Sequence, residues 1–465
     1  MITLVFSLSA LLLAILVFVW IFPRPKIGFS LLLLLLPIHT LFFQILRVEL
    51  RLSSSISILL QSWKDVLLLL LLGWILAKGL STGKLRFPKA SIWLIPTLFL
   101  LLFVGIFSLA QSQDYLSGLY SLRGTFEPFL VLALALFLPI NITWLQKLLP
   151  RLIIIGVLVA GFSIFQSLVL GYPFVLKYYA IDGNLPTSFS FMGGSFQRAM
   201  GSFSSPNQLS LYLSFLIILI INQIWRFPRK NRLYVIAVLI LFSALLLTAS
   251  RSGWVALFAG FGVSFVLWRR KQKTIMIGIG MTLVFLVILF GFGLDEWLLN
   301  TVTGREISAN YHLSIFLDNL KTIWENPLGV GPGNVGARAY RFGTRSSNIN
   351  YYATESFLMQ FGLEYGMLGI IIFLAILILA SMNIYRNIFQ ISNRWLRGVA
   401  VSGLSFLPAA LVHSLLIPDL QDMAVSSYLW FFVGISLRLP ALERLENKDL
   451  IEVVQNKSKL DYAAE

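Results

Sequence analysis

Residues 304–369 read GREISANYHLSIFLDNLKTIWENPLGVGPGNVGARAYRFGTRSSNINYYATESFLMQFGLEYGMLG, the longest polar interruption in a chain that otherwise consists of apolar runs. From 308 to 325, apolar side chains recur every three or four positions, which is the period of a helix with one apolar face. That face holds Leu313, Phe316, Leu317, Leu320, Ile323 and Trp324, and the opposite face holds Asp318, Asn319, Lys321 and Glu325. Pro327 then ends the helix. The pattern predicts an amphipathic helix and a loop that lie over a membrane-embedded site.

Two further features follow the predicted helix. The glycine-rich motif GVGPG at 329–333 lacks the preceding strand and the spacing of a dinucleotide-binding fingerprint, so we interpret it as a tight turn that returns the chain to the membrane. A basic and aromatic segment comes next, and it suits a sugar ligand and an aromatic belt at the membrane surface equally well. Its candidate binding residues are Arg338, Arg341, Tyr351 and Tyr352.

The composition indicates a membrane protein. The chain is 58% hydrophobic and 12% charged, whereas soluble proteins carry about 25% charged residues. Apolar runs of about 20 residues, the length that spans a bilayer, recur throughout. We therefore predict an all-α fold, a polytopic transmembrane helical bundle of about 12–14 spans, with a large external loop that contains the amphipathic helix. Cysteine is absent, which excludes disulfides and cysteine-based metal sites.

Hydropathy and polar breaks place about thirteen spans along the chain. They are approximately 2–22, 27–46, 56–77, 91–110, 119–139, 152–170, 208–225, 233–249, 252–268, 274–294, 354–381, 398–416 and 421–438. The predicted organisation comprises N-terminal transmembrane helices at 1–170, helices with the first long external loop and a Ser-Arg turn at 171–294, the large external loop at 295–353, C-terminal helices at 354–440, and a polar cytoplasmic tail, predicted to be disordered, at 441–465.

Basic residues orient the predicted bundle. A net charge of +16 suggests nucleic acid in a soluble protein, but here Lys and Arg cluster in alternate short loops that carry no acid. Loops of this kind, such as 226–232 and 269–273, stay in the cytoplasm. The two long loops, 171–207 and 295–353, are therefore predicted to lie outside, and no nucleic-acid partner is expected.

Several external residues suit an anionic ligand. Arg198 precedes one span, Arg251 lies in a tight Ser-Arg turn between two spans, and Arg305 precedes the amphipathic helix. A planar guanidinium pairs with two phosphate oxygens at once, so arginines that converge on one vestibule would bind a di-anion. Asn207 lies at a predicted helix start, where free N–H groups also attract anions. Contact of the arginines with lipid head groups, and simple helix capping, are the ordinary alternatives.

Two carboxylates fall in the span that follows the large loop. Glu355 stands at its external mouth and suits a general base that takes a proton from a hydroxyl, although it would also interact favourably with the helix dipole. Glu364 lies deeper, where a carboxylate is functional or paired. For His413 and Asp419, at another external turn, we favour an ordinary interfacial cap.

Four stretches together resemble the O-antigen ligase and O-antigen polymerase superfamily of polysaccharide-assembly enzymes. They are the RAMGSFSSPNQL segment, the TASRSGWVAL turn, the GRE…W…NPLGVGPGN loop and the ESFLMQFGLEYGMLG helix. The resemblance puts the family's arginines at Arg198, Arg251 and Arg305. Ligases carry a His-Asn pair where this chain has Glu355 and Ser356, a departure that favours a polymerase or a ligase-like protein with another acceptor.

The resemblance implies a metal-independent membrane glycosyltransferase of the bacterial inner membrane, with no cofactor and no metal site. It would transfer or polymerise glycan from a polyprenyl-pyrophosphate carrier at the outer face of the membrane. The catalytic residues would be Glu355, Arg305 and Arg251, and the substrate-binding residues would be Arg198, Asn207, Arg338, Arg341, Tyr351 and Tyr352.

The expected partners are the polyprenyl-pyrophosphate-linked glycan, an acceptor glycan or lipid, and membrane lipids, and a chain-length regulator is a further candidate. One alternative is a ligase that attaches a finished glycan to lipid A core or to a protein. Another is a transporter or flippase for a polysaccharide or lipid, although the sequence contains no evident internal repeat and its ionisable groups cluster at helix ends.

Overall fold

The computed structural model describes residues 21–82, 92–180, 189–191, 196–224, 231–267, 307–336, 352 and 354–462. Over these residues the protein is a bundle of long helices with one small antiparallel hairpin. Within these described ranges, eight helices are long and apolar enough to cross a membrane, and two shorter apolar helices accompany them. The prediction of an all-α, polytopic bundle is confirmed, and the protein is a multi-pass membrane protein.

The helices are numbered here in chain order. They are α1 (Pro25–Glu49), α2 (Ser54–Gln61), α3 (Trp63–Thr82), α4 (Leu94–Ser108), α5 (Tyr115–Phe137), α6 (Ile142–Phe165), α7 (Gly171–Tyr179), α8 (Pro206–Ile224), α9 (Asn231–Leu247), α10 (Arg251–Leu267), α11 (Ile307–Glu325), α12 (Phe357–Gln390), α13 (Arg394–Leu416) and α14 (Met423–Tyr462). The hairpin strands are β1 (Ser190–Phe191) and β2 (Phe196–Gln197), and short turns of helix occupy Leu109–Gln111, Gln166–Leu170 and Asp419–Gln421.

Helix α13 lies at the centre of the bundle, where it packs against α8, α10, α12 and α14. Glycines allow the close approach, since a Cβ on Gly403 would stand 2.8 Å from the carbonyl oxygen of Phe432 and one on Gly260 would stand 2.8 Å from that of Ser405. The hydroxyls of Ser264 and Ser405 meet across the same interface at 2.8 Å. Small residues and paired hydroxyls are typical of helix contacts in membranes, where apolar burial alone gives little selectivity.

The predicted spans and the observed helices agree. Every predicted span that falls on described residues coincides with a helix, from 27–46 on α1 to 421–438 on α14. The predicted spans 2–22 and 274–294 lie outside the described residues, apart from the last two positions of the first. Hydropathy therefore located the helices well, because a run of about 20 apolar residues leaves the backbone no other way to satisfy its hydrogen bonds in a bilayer.

Two segments contain more regular structure than was predicted. The polar composition of 441–465 predicts a disordered tail, but α14 continues through it to Tyr462. This prediction is wrong because the tail is rich in Leu, Glu, Lys and Ala, which are strong helix formers. The first long loop, 171–207, likewise contains α7 and the hairpin, in which Ser190 pairs with Gln197.

The amphipathic helix is confirmed as α11, but its apolar face and its buried face differ. Ile323 is buried beside Gly362 of α12. Asn319, which the periodicity places on the polar face, is 5% exposed, whereas Leu317 and Trp324 from the apolar face are 55% and 79% exposed. A membrane protein can cover exposed apolar side chains with lipid, so an apolar stripe does not have to turn toward the protein core.

The glycine-rich turn, here called the glycine loop (residues 328–336), docks between helices through backbone contacts. Gly331 and Gly333 have φ angles of 91° and 86°, a region that favours glycine. A Cβ on Gly331 would stand 2.6 Å from backbone atoms of Gln111 and Ser112, just after α4. A Cβ on Gly333 would stand 2.5 Å from the backbone of α5 at Gly118. The turn predicted from GVGPG is therefore confirmed, and its glycines let three backbones meet.

Helix α12 is interrupted at Gly366, where φ is 72° and ψ is −174°. The glycine loop and the proline before it supply hydrogen bonds at this break. The Val330 N–H donates to the Leu363 carbonyl at 2.7 Å, and the Met367 N–H donates to the Pro327 carbonyl at 3.1 Å. The helix consequently has an outer half-helix, residues 357–365, whose inner end is bonded to the loop rather than to the rest of α12.

We expect Gly333→Ala to lower the free energy of unfolding by about 2–4 kcal/mol, because the new methyl group meets backbone atoms and the φ angle is unfavourable for alanine. Thermal unfolding of the purified protein in detergent measures this effect. Gly73→Ala in α3 is the matched control, since nothing lies within 4 Å of its Cβ position. Equal melting temperatures for the two variants would contradict the docking of the loop against α5.

Candidate functional site

Loops and polar helix ends gather at one end of the bundle, here called the polar end. The glycine loop joins this end through the Ser112 hydroxyl, which donates to the Pro332 carbonyl at 2.8 Å. The segment before α8 joins it through the Leu41 N–H, which donates to the Ser202 carbonyl at 3.2 Å. Buried polar and charged side chains near this end form the two clusters described below.

The first cluster is organised by Arg198. Its Nε donates to the Thr248 carbonyl at 2.7 Å, and its Nη2 donates to the Asn207 side-chain oxygen at 3.0 Å. The Ser250 hydroxyl donates to the same Asn207 oxygen at 2.9 Å. The guanidinium is thus tied to the end of α9 and the start of α8. The predicted anion-binding residues Arg198 and Asn207 are in direct contact, and Asn207 orients the arginine.

Arg251 is close enough to Arg198 for their charges to interact. Arg251 is the first residue of α10 and is exposed, while Arg198 is half-buried. Burial, together with the positive charge of Arg251, lowers the pKa of Arg198 to about 10, and the negative charge of Asp419 acts in the opposite direction. Arg198 therefore remains charged at neutral pH. We call Arg198, Asn207, Ser250 and Arg251 the arginine cluster.

A buried histidine–aspartate pair borders the arginine cluster. His413 is fully buried near the end of α13, and its Nε2 lies 3.0 Å from Oδ2 of Asp419. The interpretation of these residues as an ordinary interfacial cap is wrong, since the two side chains pair with each other inside the protein. The turn that carries Asp419 continues to Asp422, whose pKa is raised to about 6 by burial and by the nearby charge of Asp419.

The same turn contacts the outer half-helix of α12. The Gln360 Nε2 donates to the side-chain oxygen of Gln421 at 3.3 Å and to Oε1 of Glu364 at 3.2 Å. The Ser121 hydroxyl of α5 donates to the same Glu364 oxygen at 2.8 Å. Glu364 is buried, so the expectation that a carboxylate at this position is functional or paired is met by pairing with α5 and within α12.

Glu355 lies just outside α12. The helix begins at Phe357, and its cap is Ser356, whose side chain accepts a hydrogen bond from the Met359 N–H at 3.4 Å. The Ser356 hydroxyl also donates to the Ser414 carbonyl at 3.0 Å, next to His413. The capping hydrogen bond at this helix end thus belongs to Ser356, and Glu355 is half-buried at the polar end.

Of the remaining predicted site residues, the structure describes only Tyr352. Arg305, Arg338, Arg341 and Tyr351 lie outside the described residues. Tyr352 is described, and its backbone pairs with the glycine loop: the Gly336 N–H donates to the Tyr352 carbonyl at 2.9 Å, and the Tyr352 N–H donates to the Asn334 carbonyl at 3.1 Å. The basic and aromatic segment is thereby tied at its end to the loop that docks on α5 and α12.

The second cluster was not identified from the sequence as a site. Lys64 Nζ lies 2.9 Å from Glu127 Oε1, and Arg123 Nε donates to Asp65 Oδ1 at 3.1 Å. Lys64 and Asp65 are 3.6 Å apart. We call these four residues the charge quartet. The available signal was two adjacent charges, Lys64 and Asp65, inside an apolar run, because ionisable residues in spans are rarely without a role.

The fold is that of a multi-pass membrane protein, with two neighbouring arginines, Arg198 and Arg251, at one end of its bundle. Residues 236–374 match the family model described as O-antigen ligase. The match includes the Ser-Arg turn at Arg251, the large loop and the outer half-helix of α12, and it confirms the resemblance to the O-antigen ligase and polymerase superfamily. The matched segment is therefore similar to the O-antigen ligase family, whose substrates are a lipid-linked glycan and an acceptor. A comparison with curated proteins gives no match.

Proposed function

We propose that the protein is a glycosyltransferase that joins lipid-linked oligosaccharides into a longer polymer at the outer face of a bacterial inner membrane. The donor would be a glycan on a polyprenyl-pyrophosphate carrier, and the acceptor a second glycan or lipid. The arginine cluster, of which Ser250 and Arg251 lie within the matched residues 236–374, supports this proposal, since it can receive the phosphate groups of the carrier.

The observation that carries the proposal is the pair of neighbouring guanidinium groups. Arg198 is held by two hydrogen bonds, and the charge of Arg251 acts on it. A pyrophosphate leaving group gains negative charge in the transition state, so fixed positive groups in a low-dielectric site stabilise that state more than the substrate. We propose that these arginines, with Arg305, supply this stabilisation in place of a metal ion.

Glu355 is the proposed general base. The acceptor hydroxyl oxygen would form a bond to the anomeric carbon while the bond from that carbon to the pyrophosphate oxygen breaks. The bonding electrons leave with the pyrophosphate, and the hydroxyl proton passes to the Glu355 carboxylate and then to water. Its position next to Ser356, whose hydroxyl contacts the backbone beside His413, brings Glu355 to the same end of the bundle as the arginine cluster.

Two other functions have some support. Ligation of a finished glycan fits the description of the matched family, but Glu355 and Ser356 stand where ligases carry His and Asn, which favours polymerisation. Transport would fit the interruption of α12, since transporters use broken helices. At Gly366, however, the backbone before and within the glycine loop supplies hydrogen bonds at the break, and the sequence contains no evident repeat.

One assay separates these three functions. The purified protein is incubated with a lipid-linked repeat unit, and the products are resolved by size. A ladder of products is expected for a polymerase, one discrete transfer product for a ligase, and no transfer for a transporter. A discrete product or no product would therefore overturn polymerisation.

The proposal requires the polar end to face outside, and labelling of introduced cysteines tests this. The chain has no cysteine of its own, so single cysteines report only their own positions. Asp318→Cys on α11 is expected to react with an impermeant reagent added outside intact cells, and Arg232→Cys on α9 only after the membrane is opened. Both positions are exposed on the protein. Labelling of both from the same side would contradict the orientation.

A further inference from the structure

The charge quartet joins two transmembrane helices through four side chains. Lys64 Nζ donates to both carboxylate oxygens of Glu127, at 2.9 and 3.0 Å, and the Arg123 guanidinium donates to both carboxylate oxygens of Asp65, at 3.1 and 2.5 Å. Exposure rises from 7% for the Glu127 side chain through 11% for Lys64 and 19% for Asp65 to 39% for Arg123. The quartet therefore has a buried side and an accessible side.

The depth of Arg123 indicates what this accessible side faces. Arg123 lies about 12 Å along α5 from its start at Tyr115, at roughly 1.5 Å per helical residue, so it belongs to a candidate membrane span and not to a loop. Its guanidinium is fixed on Asp65 by two hydrogen bonds, so it does not extend to the surface as a lipid-facing arginine would. Ionisable side chains in a span face the bundle interior or a water-filled cavity, and the 39% exposure of Arg123 favours the cavity.

The charge quartet has no net charge, so it does not suit the anionic ligand proposed for the arginine cluster. Its two cations and two carboxylates balance, so it offers no net attraction to a pyrophosphate. It offers instead both hydrogen-bond donors and acceptors at close spacing, which suits a neutral ligand rich in hydroxyl groups, since each hydroxyl both donates and accepts. An aromatic surface adjoins them, because the Arg123 guanidinium lies 5.5 Å over the ring of Tyr120, which is 36% exposed.

The charge quartet also lies close to the arginine cluster. Lys64 Nζ lies 3.2 Å from the sulfur of Met423, the first residue of α14. The turn immediately before Met423 holds Asp419, which pairs with His413 and interacts with the charge of Arg198. A ligand bound at the quartet would therefore lie on the far side of one short turn from the arginine cluster.

We infer that the charge quartet is a carbohydrate-binding site that receives the acceptor glycan, in a water-filled recess between α3 and α5. This inference rests on the proposed function, because a transfer between two glycans needs a second site beside the one for the carrier pyrophosphate. The two sites bind different ligands because their charges differ. The positively charged arginine cluster binds the pyrophosphate of the carrier, and the charge quartet, which has no net charge, binds the neutral sugar. Arg123 and Asp65, the more exposed pair, contact the sugar hydroxyls.

Binding of a carrier-free glycan tests the inference. The probe is the repeat oligosaccharide released from its carrier by mild acid and tagged with a fluorophore, and its binding to the purified full-length protein is followed by anisotropy. Arg123→Gln is expected to raise the Kd of this probe at least tenfold and to leave the Kd of polyprenyl pyrophosphate unchanged. Lys177→Gln, which breaks the exposed pair with Glu49 at the same end of the bundle, is the matched control and is expected to change neither Kd.

A second variant separates binding from folding. Asp65→Asn combined with Arg123→Gln removes both charges of one pair, which avoids an unpaired buried charge and preserves the fold. We expect this double variant to unfold at the temperature of the wild type and still to bind the probe at least tenfold more weakly. Wild-type affinity in either variant, or an equal loss of affinity for probe and polyprenyl pyrophosphate, would show that the quartet only joins helices.

The same measurements distinguish the inference from the proposed function. If the wild type makes a ladder from lipid-linked substrate but does not bind the free oligosaccharide, the inference is wrong and the polymerase proposal stands. If it binds the oligosaccharide at the quartet but transfers nothing, the polymerase proposal is wrong and the site remains a carbohydrate site.

Discussion

Arg198→Lys is expected to lower the rate of glycan transfer about 100-fold or more, the usual effect of removing one fixed donor to a developing anion. The guanidinium of Arg198 reaches the Thr248 carbonyl and the Asn207 side chain at once. A lysine carries the same charge on a single nitrogen, so it cannot keep both anchors and still present a planar group to phosphate. The rate with a defined lipid-linked substrate measures this loss.

Arg251→Lys tests the other half of the pair and is expected to lose most activity, because the single ammonium group of lysine cannot pair with two phosphate oxygens as a guanidinium does. Arg394→Lys, an exposed arginine at the start of α13, is the control for a charge-preserving substitution elsewhere, and it should transfer glycan at the wild-type rate. Normal polymer yield in both the Arg198 and the Arg251 variants, at normal abundance in the membrane, would remove the arginine cluster from the mechanism.

Glu355→Gln is expected to abolish transfer while folding and carrier binding persist. The amide has nearly the shape of the carboxylate but cannot accept the proton of a sugar hydroxyl. Ser356 makes the capping hydrogen bond of α12, so the alternative role of Glu355 is a favourable interaction of its charge with the helix dipole. Interaction with the helix dipole would be worth at most about 1 kcal/mol of stability. Single-turnover measurements with the Gln variant decide the matter, and a wild-type rate would leave Glu355 without a chemical role.

Two companion variants sharpen this test. Ser356→Ala is expected to lower the free energy of unfolding by about 1 kcal/mol, as the loss of a cap does, and to reduce transfer far less than Glu355→Gln. Glu355→His is expected to retain part of the activity, because an imidazole can also accept a proton near neutral pH. If the Ser356 variant loses as much transfer as the Gln variant, the geometry of this helix end matters more than the carboxylate.

The helices could be predicted from the sequence, and their exposed faces could not. Hydropathy located the spans because each one is set by local composition. The face of α11 needed knowledge of its surroundings: Asn319 is buried and Trp324 is exposed because lipid, unlike water, tolerates apolar side chains. Periodicity identifies two faces of a helix but does not tell which of them meets protein.

The candidate site shows the same division. Arg198, Arg251 and Asn207 were recognised because each stands in a short segment with its own pattern. The pairing of His413 with Asp419 depends on how one turn folds back. Lys64 and Glu127 are 63 residues apart in the chain, and their pairing joins two helices. Such pairs follow from tertiary packing, and the charges of their members alone do not reveal them.

The break at Gly366 makes the glycine loop and α12 one cooperative unit. A straight α12 would bond Met367 to Leu363, but in this fold Met367 is bonded to Pro327 and Leu363 to Val330. Release of the loop would therefore also break the two hydrogen bonds that Leu363 and Met367 make at the interruption of α12. Since Glu355 stands two residues before the outer half-helix, a displacement of the glycine loop would reach it through the backbone of that half-helix.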